Sequence, residues 1–104
     1  MQAPILILGA SGKIGGAIAE SIAKTNTVIL QGNRNKSSLK ILCKKIGNKC
    51  LGVFNADLSN EIEAKRIFEE IENKYKKLSG IIFSIATPFP HKLSFRTKWN
   101  IFNE

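Results

Sequence analysis

Four short apolar segments alternate along this chain with segments whose apolar residues recur at helical spacing. The four apolar segments contain no charged residue, which is typical of strands covered on both faces of a parallel sheet. We therefore predict strands at residues 3–8, 27–31, 50–54 and 80–86. Strands that alternate with helices at this rhythm indicate parallel βαβ units and an α/β fold.

Three helices are predicted between these strands, and a weaker helical pattern covers 94–104. The first helical pattern begins at Ile14, and the second ends where Gly47 can terminate a helix. The third follows Ser59 or Asn60, either of which can cap it.

Length and composition limit the classes of protein that fit. A chain of 104 residues corresponds to one domain or part of one, and 43% apolar with 23% charged residues is close to the globular average. We therefore do not expect disorder. No apolar run is long enough to cross a bilayer, and the opening segment reaches glycines too early for a secretory signal, so we expect a cytoplasmic protein.

The two cysteines, Cys43 and Cys50, occur without a CxxC motif or grouped histidines. This pattern suggests neither a zinc site nor a disulfide framework, and we predict two reduced, partly buried thiols. The net charge of +8 favours a polyanionic partner, either a nucleic acid or a phosphorylated ligand. The basic residues cluster in 33–49 and 74–77, although ordinary solvated helix faces would give the same pattern.

The stretch Gly9 to Gly16 lies between the first predicted strand and the first predicted helix. A dinucleotide pyrophosphate needs a tight turn, a backbone free of side chains, and unpaired N–H groups at a helix N-terminus. Gly9, Gly12 and Gly15 are spaced to meet these needs. A GxxxxGK[ST] phosphate loop is excluded, because Gly9 and Gly12 are too close and Ile14 stands where a hydroxyl is required. A glycine-rich turn without a ligand remains the alternative.

The segment LGASGKIGGAIA resembles the first turn of the short-chain dehydrogenases/reductases, in the GxxGxxG form of extended and atypical members. Asp57-Leu58 is similar to the family's acidic element that contacts adenine, and Ser84-Ile85-Ala86 occupies the place of its Asn-Ala-Gly element. The resemblance implies a Rossmann-like parallel sheet of about four strands in the order 3-2-1-4, with helices on both faces. It also implies a single, truncated NAD(P)-binding domain over 1–104.

The same resemblance implies NADP rather than NAD as the cofactor. Residues 31–40 contain no acidic side chain to bind an adenosine 2′-hydroxyl, whereas Arg34 beside Asn33 matches members that bind a 2′-phosphate. Two simpler interpretations stay open: Arg34 as a solvated loop cation, and Asp57 as a helix cap. The expected cofactor-binding residues are Gly9, Ser11, Gly12, Lys13, Ile14, Gly15, Asn33, Arg34, Asp57, Leu58, Ser84, Ile85 and Ala86.

The family's catalytic residues are not expected within this chain. Tyr75 is the only tyrosine and is followed four residues later by Ser79, so there is no Y-x-x-x-K motif. His91 stands alone, and Glu69 and Glu70 are typical of solvent contacts on a helix. We assign no catalytic residue and no metal site.

The resemblance therefore implies the cofactor-binding N-terminal portion of an NADP-dependent oxidoreductase that does not turn over substrate by itself. Two alternatives remain: a non-catalytic NADP-binding sensor or interaction module, and a basic polyanion-binding domain. Besides the dinucleotide, the expected partner is a second copy or a complementary C-terminal fragment, bound through the uncharged fourth strand as a sheet edge. A membrane partner is not expected, and the absence of aromatic stacking patterns disfavours nucleic acid.

Overall fold

The computed structural model describes residues 3–33 and 36–84. Its elements are β1 (Ile5–Leu8), α1 (Lys13–Ile22), β2 (Val28–Gly32), α2 (Lys36–Ile46), a 3-10 turn (Gly47–Lys49), β3 (Cys50–Asn55), α3 (Glu61–Tyr75) and β4 (Gly80–Phe83). The strands form one parallel sheet in the order β3-β2-β1-β4, which confirms the predicted order. The predicted end of β4 at 85–86 and the helix expected at 94–104 lie outside the described residues.

Helices cover both faces of the sheet, as expected. Leu6 and Leu8 of β1 pack in a core formed with α3, whereas Ile7 between them packs with α1 and α2 on the opposite face. All three side chains are fully buried. A strand covered on both faces needs apolar residues at consecutive positions, because successive side chains point to opposite faces. This explains why the strands form uncharged runs in the sequence.

The helix boundaries follow the predicted signals. The Oδ1 atom of Asn60 caps α3 by accepting hydrogen bonds from the N–H groups of Ile62 (3.0 Å) and Glu63 (3.1 Å). The cap is thus Asn60 rather than Ser59. Gly47, directly after α2, has a φ of 83°, which glycine adopts without a steric penalty. Within 3–33 and 36–84, no helix has the length and apolar character needed to span a membrane.

The prediction of two reduced thiols is wrong, because Cys43 and Cys50 form a disulfide bond. Cys43 lies in the second half of α2, and Cys50 is the first residue of β3. The 3-10 turn between them brings the start of β3 back beside α2. The two Cα atoms are 5.4 Å apart, a separation that a disulfide spans readily. The sequence spacing gave no sign of this pairing because it depends on the path of the turn.

We expect reduction of the Cys43–Cys50 bond to lower the free energy of unfolding by about 2 to 3 kcal/mol, since the bond closes a short loop and restricts the unfolded chain. Urea denaturation with and without a dithiol reductant measures this difference. The double variant Cys43→Ala/Cys50→Ala is the matched control and should not respond to the reductant. Two titratable thiols in the untreated native protein would contradict the bond.

Candidate functional site

The candidate site lies at the carboxyl edge of the sheet, where all four strands end. Because the strands are parallel, the segments that follow them emerge at this one edge. The glycine-rich turn (residues 9–12) follows β1, Asn33 follows β2, Asp57 comes two residues after β3, and Ser84 follows β4. The N–H of Ser84 donates to the carbonyl oxygen of Leu8 at 2.8 Å, which places Ser84 beside the glycine-rich turn. The other predicted site residues Arg34, Ile85 and Ala86 lie outside the described residues.

The glycine-rich turn is held by hydrogen bonds to the end of β2. Gly9 has a φ of 82°, in the left-handed region that favours glycine. The N–H groups of Gly9 and Ala10 both donate to the carbonyl oxygen of Gln31, at 3.0 and 2.7 Å. The N–H of Gly12 then donates to the Gly9 carbonyl at 3.4 Å and closes the turn. These bonds fix where α1 begins relative to β1.

Gly15 and Gly12 differ in what the surrounding packing requires of them. A Cβ on Gly15 would lie 2.1 Å from the carbonyl oxygen of Gly9, so α1 can pack against the end of β1 only with glycine at this position. A Cβ on Gly12 would meet only that same oxygen, at 3.9 Å, and Gly12 is exposed. The fold therefore requires glycine at 15, whereas the described packing leaves room for a side chain at 12.

The N-terminus of α1 opens onto this turn without a side-chain cap, because its N-cap residue is Gly12. The first N–H groups of any α-helix have no acceptor within the helix. No acidic residue occupies the first turn of α1, and the side chains of Lys13 and Ile14 are exposed. The positive end of the helix dipole and one lysine thus lie next to the glycine-rich turn, an arrangement that favours an anion.

Ser11 packs against the end of β2, where Gly32 makes room for it. A Cβ on Gly32 would lie 2.9 Å from Ser11 Oγ and 2.8 Å from Leu39 Cδ1 of α2. The absence of a side chain at Gly32 therefore lets the glycine-rich turn and α2 approach the same point. Asn33, the next residue, is half-buried.

Asp57 is held in the turn that precedes α3. Its Oδ1 accepts hydrogen bonds from the Ser59 N–H (3.0 Å) and the Ser59 hydroxyl (2.6 Å), and its own N–H donates to Glu63 Oε1 at 2.9 Å. Because Asn60 is the cap, the interpretation of Asp57 as the helix cap is excluded. The side chain of Leu58 is buried in the core against α3, which leaves its backbone as the part able to contact a ligand.

The candidate site lies in an acid-poor part of the chain. Glu20 is the only acidic residue among the first 56, against eight Lys and Arg residues. Its Oε2 lies 3.3 Å from Lys45 Nζ, in an ion pair between α1 and α2. The segments that carry the glycine-rich turn and the end of β2 therefore present little negative charge to an approaching phosphate.

Gln31 is the residue of this edge that the sequence patterns did not single out. Its side chain is 1% exposed and, among the described residues, is the only polar one in the buried core. Its Oε1 accepts a hydrogen bond from the Gly9 N–H and its Nε2 donates to the Ala56 carbonyl, both at 2.8 Å. The one available signal in the sequence was a polar residue at the end of an otherwise apolar strand.

Other polar candidates have structural partners. The hydroxyl of Tyr75 donates to the carbonyl oxygen of Leu51 at 3.3 Å. Glu70 forms an ion pair with Arg66 at 3.2 Å on the exposed side of α3, and its neighbour Glu69 is exposed. His91 lies outside the described residues, and the part of the chain that is described holds no group of three or more metal-ligating side chains.

Comparison with solved structures supports the fold. The chain is similar to a variant of actinorhodin polyketide ketoreductase crystallised with NADPH, with a TM-score of 0.70 and 16% sequence identity. The similarity covers 90% of this chain and 40% of the ketoreductase chain, so this chain spans less than half of that protein's length. At this level of identity the likeness shows a shared fold. A search of curated proteins finds no match.

Comparison with known protein families matches residues 3–96 to the short chain dehydrogenases. The matched segment contains the four strands and three α-helices of the described residues, together with the glycine-rich turn. It confirms the resemblance that the turn and the segments after β3 and β4 indicated. The chain belongs to the short-chain dehydrogenase family.

Proposed function

We propose that this chain binds NADP(H) at the carboxyl edge of its sheet, as the single dinucleotide-binding, N-terminal portion of a short-chain dehydrogenase. The observation that carries the proposal is the open backbone at Gly12, which is exposed and has room for a side chain. A ligand lying against this backbone accounts for glycine at a position where packing does not demand it. A pyrophosphate is such a ligand, because it must approach the N–H groups of a helix N-terminus closely.

Each segment of the edge would hold one part of the dinucleotide. The backbone from Gly9 to Gly15 would bind the pyrophosphate, and Lys13 would add positive charge beside it. Asp57 would contact the adenine, with its carboxylate oriented by Ser59. The segment from Ser84 to Ala86 would lie at the ribose. The position of Ser84 beside the glycine-rich turn supports this arrangement.

Charge supports NADP over NAD. The segment from Gln31 to Lys40 contains no acidic residue to bind a 2′-hydroxyl, and it contains Arg34, whose guanidinium suits a phosphate. Asn33 would add a hydrogen bond to the same group. The similar ketoreductase was crystallised with NADPH, which agrees with this choice.

When bound, a nicotinamide dinucleotide supplies or accepts a hydride. The residues described above bind and orient it, but the chain has no Tyr followed four residues later by Lys to move a proton at a substrate oxygen. We therefore propose binding without turnover by these 104 residues alone.

The features of the outer edge of β4 favour the binding of a protein partner. In the described part of the chain β4 pairs only with β1, contains no charged residue and leaves Phe83 51% exposed. Natural sheet edges usually carry charge or proline.

We expect the chain to associate through β4 with a second copy or with a complementary C-terminal fragment. Sedimentation at low micromolar concentration should show association of the chain alone or with such a fragment, and Ile82→Lys should abolish it. A monomer under both conditions, unchanged in solubility by the lysine, would contradict this partner.

We expect Gly12→Val to weaken NADPH binding by more than about tenfold, which corresponds to about 1.4 kcal/mol, without a matching loss of stability. The new side chain would fill the space proposed for the pyrophosphate while touching little protein. Fluorescence titration with NADPH, extended to millimolar nucleotide, measures the affinity.

Gly16→Ala is the matched control for this variant, because its Cβ would meet Ala10 O at 3.4 Å and Leu42 Cδ2 at 3.8 Å. It should keep the affinity, and alanine is favoured over glycine within a helix by about 1 kcal/mol. A folded Gly12→Val variant that binds NADPH as wild type does would refute the proposed pyrophosphate position.

We expect NADPH to bind more tightly than NADH, and Arg34→Asp to remove most of this preference. Each lost charge-assisted hydrogen bond to the 2′-phosphate should cost about 1.5 to 3 kcal/mol, and the introduced carboxylate would add repulsion. Parallel titrations with both nucleotides measure the preference, with Lys49→Asp as a control that makes the same charge change on the 3-10 turn. Equal affinity of the wild type for NADPH and NADH would rule out the assignment of Arg34.

A further inference from the structure

The side chain of Gln31 connects two turns that lie far apart in sequence. Its Oε1 accepts from the N–H of Gly9 in the glycine-rich turn, and its Nε2 donates to the carbonyl of Ala56, one residue before Asp57. Both bonds are 2.8 Å long, and the side chain that makes them is 1% exposed. One buried amide therefore bridges the segment after β1 and the segment after β3.

The orientation of this amide follows from its partners. The Gly9 N–H can only donate, and the Ala56 carbonyl can only accept, so the amide oxygen must face Gly9 and the amide nitrogen must face Ala56. A residue in this place needs one acceptor and one donor at the end of a long, unbranched side chain. An aliphatic side chain would fill the volume but would leave the buried Ala56 carbonyl without this donor.

Backbone hydrogen bonds hold each turn independently of the Gln31 side chain. Gly9 also donates to the backbone carbonyl of Gln31, and the N–H of Ala56 donates to the carbonyl of Gly32 at 2.9 Å. The sheet can therefore persist without the amide. What the amide adds is a fixed position of one turn relative to the other.

We infer that Gln31 is a positioning residue, which matches the spacing of the glycine-rich turn and the Ala56–Asp57 turn to a ligand that contacts both. The inference rests on the proposed function, in which the pyrophosphate lies at the first turn and adenine at the second. It assigns to the buried side chain of Gln31 a role in ligand affinity rather than in folding alone. A ligand that touches only one of the two turns does not depend on this spacing.

The first test is Gln31→Met, which keeps the length of the side chain and removes both hydrogen bonds. NADPH, which spans both turns, should bind about tenfold more weakly, and adenosine 2′-monophosphate, which lacks the pyrophosphate, should change less than about twofold. Amide hydrogen exchange without nucleotide should be faster at Gly9, with Ile7 and Ile29 in the core strands unchanged. A folded Gln31→Met variant with wild-type NADPH affinity and wild-type exchange at Gly9 would overturn the inference.

Gln31→Glu provides a second test, which distinguishes a hydrogen-bonding role of this side chain from a role in packing alone. Burial raises the pKa of the introduced carboxyl, and its protonated form can both accept from Gly9 and donate to Ala56. The variant thus makes both hydrogen bonds at low pH and loses them as the pH rises through that raised pKa. NADPH affinity relative to wild type should therefore increase as pH falls, while Gln31→Met shows no such dependence. A ratio of the NADPH affinity of Gln31→Glu to that of the wild type that stays constant across pH would also overturn the inference.

These experiments separate the two claims. If the wild type binds neither NADPH nor adenosine 2′-monophosphate at millimolar concentration, the proposed function and the ligand role of Gln31 both fall. If the wild type binds NADPH and both Gln31 variants bind it with wild-type affinity, the proposed function stands and the positioning role of Gln31 is refuted.

Discussion

The close contact between Gly15 and the carbonyl of Gly9 positions the glycine-rich turn and the start of α1, and with them the candidate site. The backbone of α1 lies so near the end of β1 that a Cβ at residue 15 would sit 2.1 Å from that oxygen. Only glycine permits this approach, and the approach directs the N-terminus of α1 toward the turn. The left-handed φ of Gly9 gives the chain the direction that the contact requires. Two glycines thus set the position and the orientation of the helix end.

The surrounding residues preserve this geometry by linking the ends of three strands. The carbonyl and the side chain of Gln31 both hold Gly9, and its side chain also holds Ala56. Gly32 allows Ser11 and α2 to meet at the end of β2. The carboxyl edge is therefore a connected set of backbone turns, held by the hydrogen bonds of Gln31 with Gly9, Ala10 and Ala56. Such a preformed edge suits the proposed pyrophosphate site, because the N–H groups of α1 are already in place and little reorganisation is needed.

Much of this architecture could be predicted from the sequence because the signals are local. Uncharged runs gave the strands, and the glycine spacing marked the turn between β1 and α1. The side chain of Asn60 and the residue after α2, Gly47, set helix ends through contacts within a few residues of the chain. The strand order followed from family resemblance rather than from spacing, and the comparison of residues 3–96 with protein families agrees with it.

The features that sequence could not provide all depend on tertiary contacts. The partners of Gln31 lie 22 and 25 residues away, so its role is invisible until the strands are paired. The Cys43–Cys50 bond depends on how the 3-10 turn returns the chain to α2. In each case the sequence shows the residue type but does not identify the residue that it contacts in the fold.

Backbone amide NMR of the isotope-labelled chain, titrated with NADPH, tests directly whether the nucleotide binds at the carboxyl edge of the sheet. We predict concerted shifts of the amide resonances at residues 9–15, at Asn33, at Asp57 and at Ser84, since these amides lie at one edge of the sheet. The exposed lysines of α2, such as Lys40 and Lys44, provide the alternative surface for a polyanion. Shifts confined to α2, with the amides of residues 9–15 unchanged at saturating NADPH, would contradict nucleotide binding at the carboxyl edge.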